Sequence, residues 1–252
     1  MEIALLCFFA FLAGFIDSIV GGGGLIQTPA MLILLPHMPI PTLLGTGKVS
    51  AISGTTAAML RYARTVDINW KAIIPASVAA FVFSFIGARA VSHIPTEALR
   101  PVILVLLITV AVYTFIKKDL GALHAPKLTP GRERIIAILV GIIIGFYDGF
   151  FGPGTGSFLI FAFVGVFGFS FLAASASAKI VNVATNLSAL LYFAFTDQVI
   201  YQIGIPMAVC NIIGSQLGSR LAIAKGSSFV RVFFLFVVTA IIIRFAYDTY
   251  LK

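Results

Sequence analysis

Pro101-Val-Ile-Leu-Val-Leu-Leu-Ile-Thr-Val-Ala-Val-Tyr-Thr-Phe-Ile116 contains no charged side chain, and residues 229–244 repeat the pattern with Arg231 as the one interior charge. A helix needs about 20 such residues to cross a hydrocarbon core about 30 Å thick. The rest of the chain agrees: 60% of its 252 residues are hydrophobic and 10% are charged. Soluble domains carry roughly 25% charged residues, so there is too little polar side chain here to coat a water-facing surface. The sequence is that of an all-α integral membrane protein.

The formal charge of +8 does not point to nucleic acid, because the Lys and Arg cluster in the short connections between apolar runs. That distribution is the positive-inside pattern. Cys7 and Cys210 lie in separate apolar segments and form neither a disulfide framework nor a metal motif, so they read as small buried residues. The first segment begins Met1-Glu2, with no basic n-region and no small-residue cleavage site after it, and reads as a retained helix.

Ten apolar segments can be drawn: 2–20, 24–36, 43–62, 71–92, 98–117, 133–151, 155–171, 174–195, 202–222 and 229–250. The one substantial hydrophilic connection is 118–132, which holds Gly121, Pro126, Pro130 and Gly131 and reads as a linker. A shift of 131 positions lays the second half on the first without a gap. Asp17 then meets Asp148, Lys48 meets Lys179, Pro75 meets Pro206 and Arg89 meets Arg220. Apolar residues match by chance at many offsets; an Asp, a Lys, a Pro and an Arg together do not. The chain is therefore read as a duplication, with a first membrane repeat at 1–117, a linker at 118–132 and a second repeat at 133–252.

Charge gives the relative orientation of the repeats. Arg61, Arg64 and Lys71 flank the connection after the third segment, whereas its counterpart near residues 196–202 has Asp197 and no basic residue. The following connection reverses the bias, with Arg220, Lys225 and Arg231 in the second repeat. With the basic linker on the cytoplasmic side, equivalent loops fall on opposite faces and both termini lie outside. The expectation is two inverted repeats of eight to ten transmembrane or re-entrant helices. Transporters built this way place the substrate near the midplane, at interrupted helices.

The interruptions are legible. Gly21-Gly22-Gly23-Gly24 precedes a short apolar run, and Gly152-Pro153-Gly154-Thr155-Gly156 stands at the same place in the second repeat. Consecutive glycines do not propagate a helix. A helix starting just after them turns free N–H groups toward whatever lies before it, which suits an anion. Close helix packing is the plainer use of the same glycines. A soluble phosphate loop does not fit, because Lys48 is followed by Val49 and no strand precedes it.

Charges inside apolar helices are costly and mark function by default. Lys48 and Lys179 are such charges, and Lys179, Asn182 and Asn186 share one helical face, matched in the first repeat by Lys48, Ala51 and Thr55. The plainer reading is a lysine snorkelling from a helix end. Asp17 and Asp148 stand just before the glycine runs. Each could pair with the lysine of its own repeat, or bind and release a proton. The candidate anion-binding residues are Gly22, Gly23, Gly24, Lys48, Thr55, Gly154, Thr155, Lys179, Asn182 and Asn186, with Asp17 and Asp148 as candidates for proton coupling. No metal or cofactor is expected; the partners are a small anion, protons and lipid.

These residues carry a family resemblance. Gly14-Phe15-Ile16-Asp17 running into the four glycines and Leu25-Ile26-Gln27-Thr28-Pro29 resembles the first signature of the TauE/SafE sulfite exporter family (TSUP, the 4-toluene sulfonate uptake permease family). Residues 145–157, Gly-Phe-Tyr-Asp-Gly-Phe-Phe-Gly-Pro-Gly-Thr-Gly-Ser, resemble the second, and residues 178–186 complete it, most like the YfcA-like members. Gly47 stands where many relatives have Asn. The resemblance implies a bacterial inner-membrane permease for sulfite, sulfonates or related organosulfur anions, driven by a proton gradient. Rocking of one half against the other would expose the site to each side in turn. An anion channel using the same lysines and helix ends is the alternative; an enzyme is not expected.

Overall fold

The computed structural model describes residues 2–116 and 128–225; the tenth predicted segment and most of the linker lie outside them. Its elements are helices: α1 (Glu2–Val20), α2 (Gly24–Leu34), α3 (Ile40–Tyr62), α4 (Trp70–Ser92), α5 (Thr96–Ile116), α6 (Pro130–Phe150), α7 (Thr155–Gly165), α8 (Phe171–Phe195) and α9 (Tyr201–Lys225). The first residues of α7, α8 and α9 each stand 131 positions after those of α2, α3 and α4.

Local chemistry explains the boundaries. Gly21, Gly152 and Gly154 have φ of 78°, 93° and 86°, a left-handed backbone that glycine adopts without a Cβ penalty. Both short helices begin directly after these turns. With 11 residues each, α2 and α7 reach about 16 Å and fall short of a bilayer core. The sequence reading ran both several residues too long; α2 ends before Pro36, and the α7–α8 connection gives Ser170 to cap α8, its hydroxyl accepting from the Ala173 N–H at 3.4 Å.

Among the described residues, α1, α4 and α8 are long and apolar enough to cross a membrane. Outward faces are aliphatic at four-residue spacing, with Ile74, Val78, Val82 and Ile86 on α4 and Ile205, Val209, Ile213 and Leu217 on α9. These two stripes occupy equivalent positions, 131 residues apart. Such exposed rows suit contact with lipid tails.

Packing divides the helices into two bundles that do not follow the chain halves. One contains α1, α2, α3 and α9; the other contains α4, α6, α7 and α8. The fourth helix of each half has changed places. Ala76, Ala80, Phe163, Ala174 and Ala178 lie in the core of the second bundle, and Leu99, Ile103 and Leu107 of α5 join the core of the first. The exchanged helices are locked by backbone contact. A methyl on Gly87 would strike the Phe146 carbonyl, and one on the equivalent Gly218 would strike that of Phe15. Small residues permit this approach and dispersion holds it. The bundles meet chiefly along α3 and α8. Cys7 and Cys210 are free and half-buried, more open than the sequence suggests.

Candidate functional site

Two ion pairs tie the bundles together. Lys48 Nζ, on α3, donates to Asp148 Oδ2 at 2.7 Å and to the Asp148 carbonyl at 3.1 Å, on α6. Lys179 Nζ, on α8, donates to Asp17 Oδ2 at 2.6 Å and also to the Asp17 carbonyl, on α1. The pairing is crossed: each lysine reaches the aspartate of the other half, not its own as the sequence suggested. The geometry supplies the reason. Each aspartate lies in the last turn of its helix, where carbonyls run short of donors. The lysine facing that end across the bundle interface gives a charge partner and a donor to the aspartate's carbonyl, which at Asp17 also accepts from the Gly21 N–H at 2.9 Å. Neither lysine snorkels; Lys48 is 6% exposed and Lys179 0%.

The pairs are not equally placed. Asp17 has 17% of its side chain exposed and Asp148 2%. Asp17 also accepts from the Gly23 N–H and the Thr55 hydroxyl, each at 3.4 Å. Beside the pairs lies a cavity of about 60 Å³. A single water takes about 10–15 Å³ on such a measure, so the space suits a small polyatomic ion.

Most sequence-predicted residues line this cavity: Gly23, Gly24, Lys48, Thr55, Gly154, Asn182 and Asn186, with both Asp17 and Asp148. Gly22, Thr155 and Lys179 do not. The Gly22 carbonyl accepts from the Leu25 N–H at 3.0 Å, Thr155 Oγ1 donates to the Gly152 carbonyl at 2.8 Å, and Lys179 sits behind Asp17. The helix N-termini are also less open than the glycine runs implied. Ser157 N–H donates to the Gly21 carbonyl at 3.0 Å, and the Ser157 hydroxyl donates to the Val20 carbonyl at 2.7 Å. The two breaks therefore satisfy part of each other, leaving charge and side-chain amides as the main anion-facing groups.

Asn186 Nδ2 donates to Asn182 Oδ1 at 3.0 Å, fixing two amides of α8 at the cavity wall. Among the further lining residues that escaped the sequence reading are Gln27 on α2 and Asn211 on α9. Their counterparts in the duplication are Phe158 and Ala80, so comparing halves hides them. The available signal was Asn211, Ser215 and Ser219, a polar row at four-residue spacing on α9.

Comparison with known proteins agrees with this architecture. The profile of the family described as Sulfite exporter TauE/SafE matches residues 6–245. A probable membrane transporter protein from Sinorhizobium sp is 38% identical over 248 residues, covering 98% of this chain and 93% of its own. The probable membrane transporter protein YfcA of Escherichia coli strain K12 is 34% identical over 248 residues, with 98% and 91% covered. A probable membrane transporter protein of Methanocaldococcus jannaschii is 29% identical over 231 residues, with 87% and 84% covered. No solved structure matches the chain. With nearly its whole length matched by the family profile and by transporters of this kind, the chain belongs to the TauE/SafE sulfite exporter family and is a multi-pass membrane transporter.

Proposed function

We propose that this protein is a secondary transporter of small anions, with sulfite, sulfonates or related organosulfur compounds as substrates and protons as the coupling ion. The observation that carries the reading is the pair of crossed Lys–Asp bridges spanning two bundles beside a small cavity lined by amides. The two lysines are balanced by two aspartates, so the site is formally neutral when empty. An anion entering it brings a net charge into a medium where charge is costly. Protonation of Asp17, the more exposed carboxylate, restores neutrality and releases Lys179 toward the anion. Anion and proton then move together.

The packing supports a reading by alternating access. The chain halves of the duplication, 1–117 and 133–252, are read as inverted repeats around a cytoplasmic linker, with both termini periplasmic in a bacterial inner membrane. A motion of one half against the other would shear the backbone contacts of Gly87 and Gly218. The bodies that move are the two exchanged bundles, sliding along α3 and α8 and breaking one ion pair as the other holds. Gly23, Gly24, Gly154, Lys48, Thr55, Asn182 and Asn186 bind the anion; Gly22 and Thr155 shape the breaks, and Lys179 acts once Asp17 lets it go.

The test is sulfite uptake into proteoliposomes across external pH. Wild-type uptake should rise with an inward proton gradient, and Asp17→Asn and Asp148→Asn should flatten that dependence. An unchanged pH profile in both variants would sink proton coupling, and a large passive anion current would favour a channel.

A further inference from the structure

We propose that Gln27 and Asn211, hydrogen-bonded directly to each other with Ser50 donating to the same Gln27 oxygen, are the specificity determinants of the cavity, presenting fixed N–H donors that select an anion by its oxygen atoms. The proposal rests on the reading of this cavity as the anion site. The orientation of both amides follows from one fixed acceptor. The Gly47 carbonyl can only accept, so the nitrogen of Gln27 must face it, and Gln27 Nε2 donates there at 3.0 Å. Gln27 Oε1 is then turned the other way, where it accepts from Ser50 Oγ at 2.9 Å and from Asn211 Nδ2 at 3.3 Å. That in turn fixes Asn211. Its Oδ1 is pressed into the glycine clefts of α1 and α3, where a methyl on Gly54 would overlap it and one on Gly14 would come within 2.7 Å.

Each amide oxygen is thus directed at the protein. Each amide nitrogen has a second N–H to which no described hydrogen bond is assigned, and both residues line the cavity. Gln27 is 5% exposed and Asn211 4%, so these donors have little access to bulk water. A buried donor left without an acceptor is costly, more so than a made hydrogen bond is favourable. A ligand with several directed oxygen lone pairs can satisfy both at once; a spherical anion of equal charge satisfies them poorly. The lysines attract negative charge of any shape, whereas this chain of amides distinguishes shapes.

The network is one-sided. Gln27, Ser50 and Asn211 all belong to the first bundle, and their duplicated counterparts are Phe158, Val181 and Ala80, none able to hydrogen-bond through its side chain. Asn182 and Asn186 of α8 supply amides from the second bundle; the Gln27–Ser50–Asn211 network is the set that the first bundle alone carries.

The experiment measures binding to the purified full-length protein by calorimetry, with sulfite and methanesulfonate as oxyanion probes and bromide as the spherical probe. Asn211→Ala is the primary variant, because Gln27 keeps Ser50 as a partner; Gln27→Met, close in shape, is the second. Both should weaken the oxyanions by about tenfold or more and leave bromide within about twofold, with the sulfite-to-bromide ratio as the readout. A ratio unchanged in both folded variants, whether affinities fall together or not at all, overturns the proposal. Lys48→Ala separates the underlying reading: it should weaken all three anions alike. If wild type binds none of them, the anion site itself fails, and this proposal with it.

Discussion

Replacing Lys48 with Ala should abolish transport and lower stability by about 3–5 kcal/mol, the usual cost of leaving one member of a buried ion pair without its partner. Asp148 is 2% exposed and has no other cation within bonding distance among the described residues, so its carboxylate is left buried without a charge partner. The double variant Lys48→Ala/Asp148→Asn removes both charges and should recover most of the lost stability, since a buried pair adds little over a neutral replacement. It should recover none of the transport. Thermal unfolding in detergent and sulfite uptake in proteoliposomes read the two effects separately. Wild-type transport by Lys48→Ala would refute a functional role for the pair; equal instability in the single and double variants would show that the lysine is needed for packing rather than for charge.

A structural effect of comparable size is expected where the two helix breaks cross. A methyl on Gly21 would overlap the backbone of Gly156 and Ser157, and the residue has φ of +78°. From the other side, a methyl on Gly156 would sit 2.6 Å from the Gly21 Cα. Neither neighbour is a flexible side chain that can swing away. The left-handed backbone alone costs a non-glycine residue roughly 1–2 kcal/mol, and overpacking typically adds about 1–3 kcal/mol more. Gly21→Ala should therefore yield little monodisperse protein. Gly165→Ala is the control, since nothing lies within 4 Å of a Cβ there. Size-exclusion yield and melting temperature decide it; a normal profile for Gly21→Ala would mean the crossing has room that the geometry denies.

The membrane class and the helix order were legible because both rest on one-dimensional signals. Length and composition of apolar runs mark the helices, and glycine clusters mark the breaks to within a residue: α2 and α7 begin at Gly24 and Thr155 as read. Asp17, Lys48, Asp148 and Lys179 were identified as a set because a charge inside an apolar helix is conspicuous. Their partners were not legible. Helical periodicity tells which residues share a face, but not which helix that face meets, and here the lysines stand on α3 and α8, where the bundles meet, and each reaches across to the far aspartate. The duplication itself obscured Gln27 and Asn211. Looking for what the halves share passes over residues that one half alone carries, and those give the cavity the amides on its first-bundle side.

The exchange of α4 and α9 also bears on how the chain is made. Synthesis runs at about 5–20 residues per second, and α1 is complete at Val20 while its packing partner α9 starts only at Tyr201. For roughly ten seconds or more α1 lies in the bilayer with the face meant for α9 covered by lipid or by a chaperone. Over the same interval Asp17 has no Lys179 to neutralise it. Neither half can reach its native packing before the other has been translated, so the first half is a committed intermediate that waits. Insertion factors that shelter polar helices, and the rate at which the ribosome delivers α8 and α9, thereby become determinants of how much transporter a cell obtains.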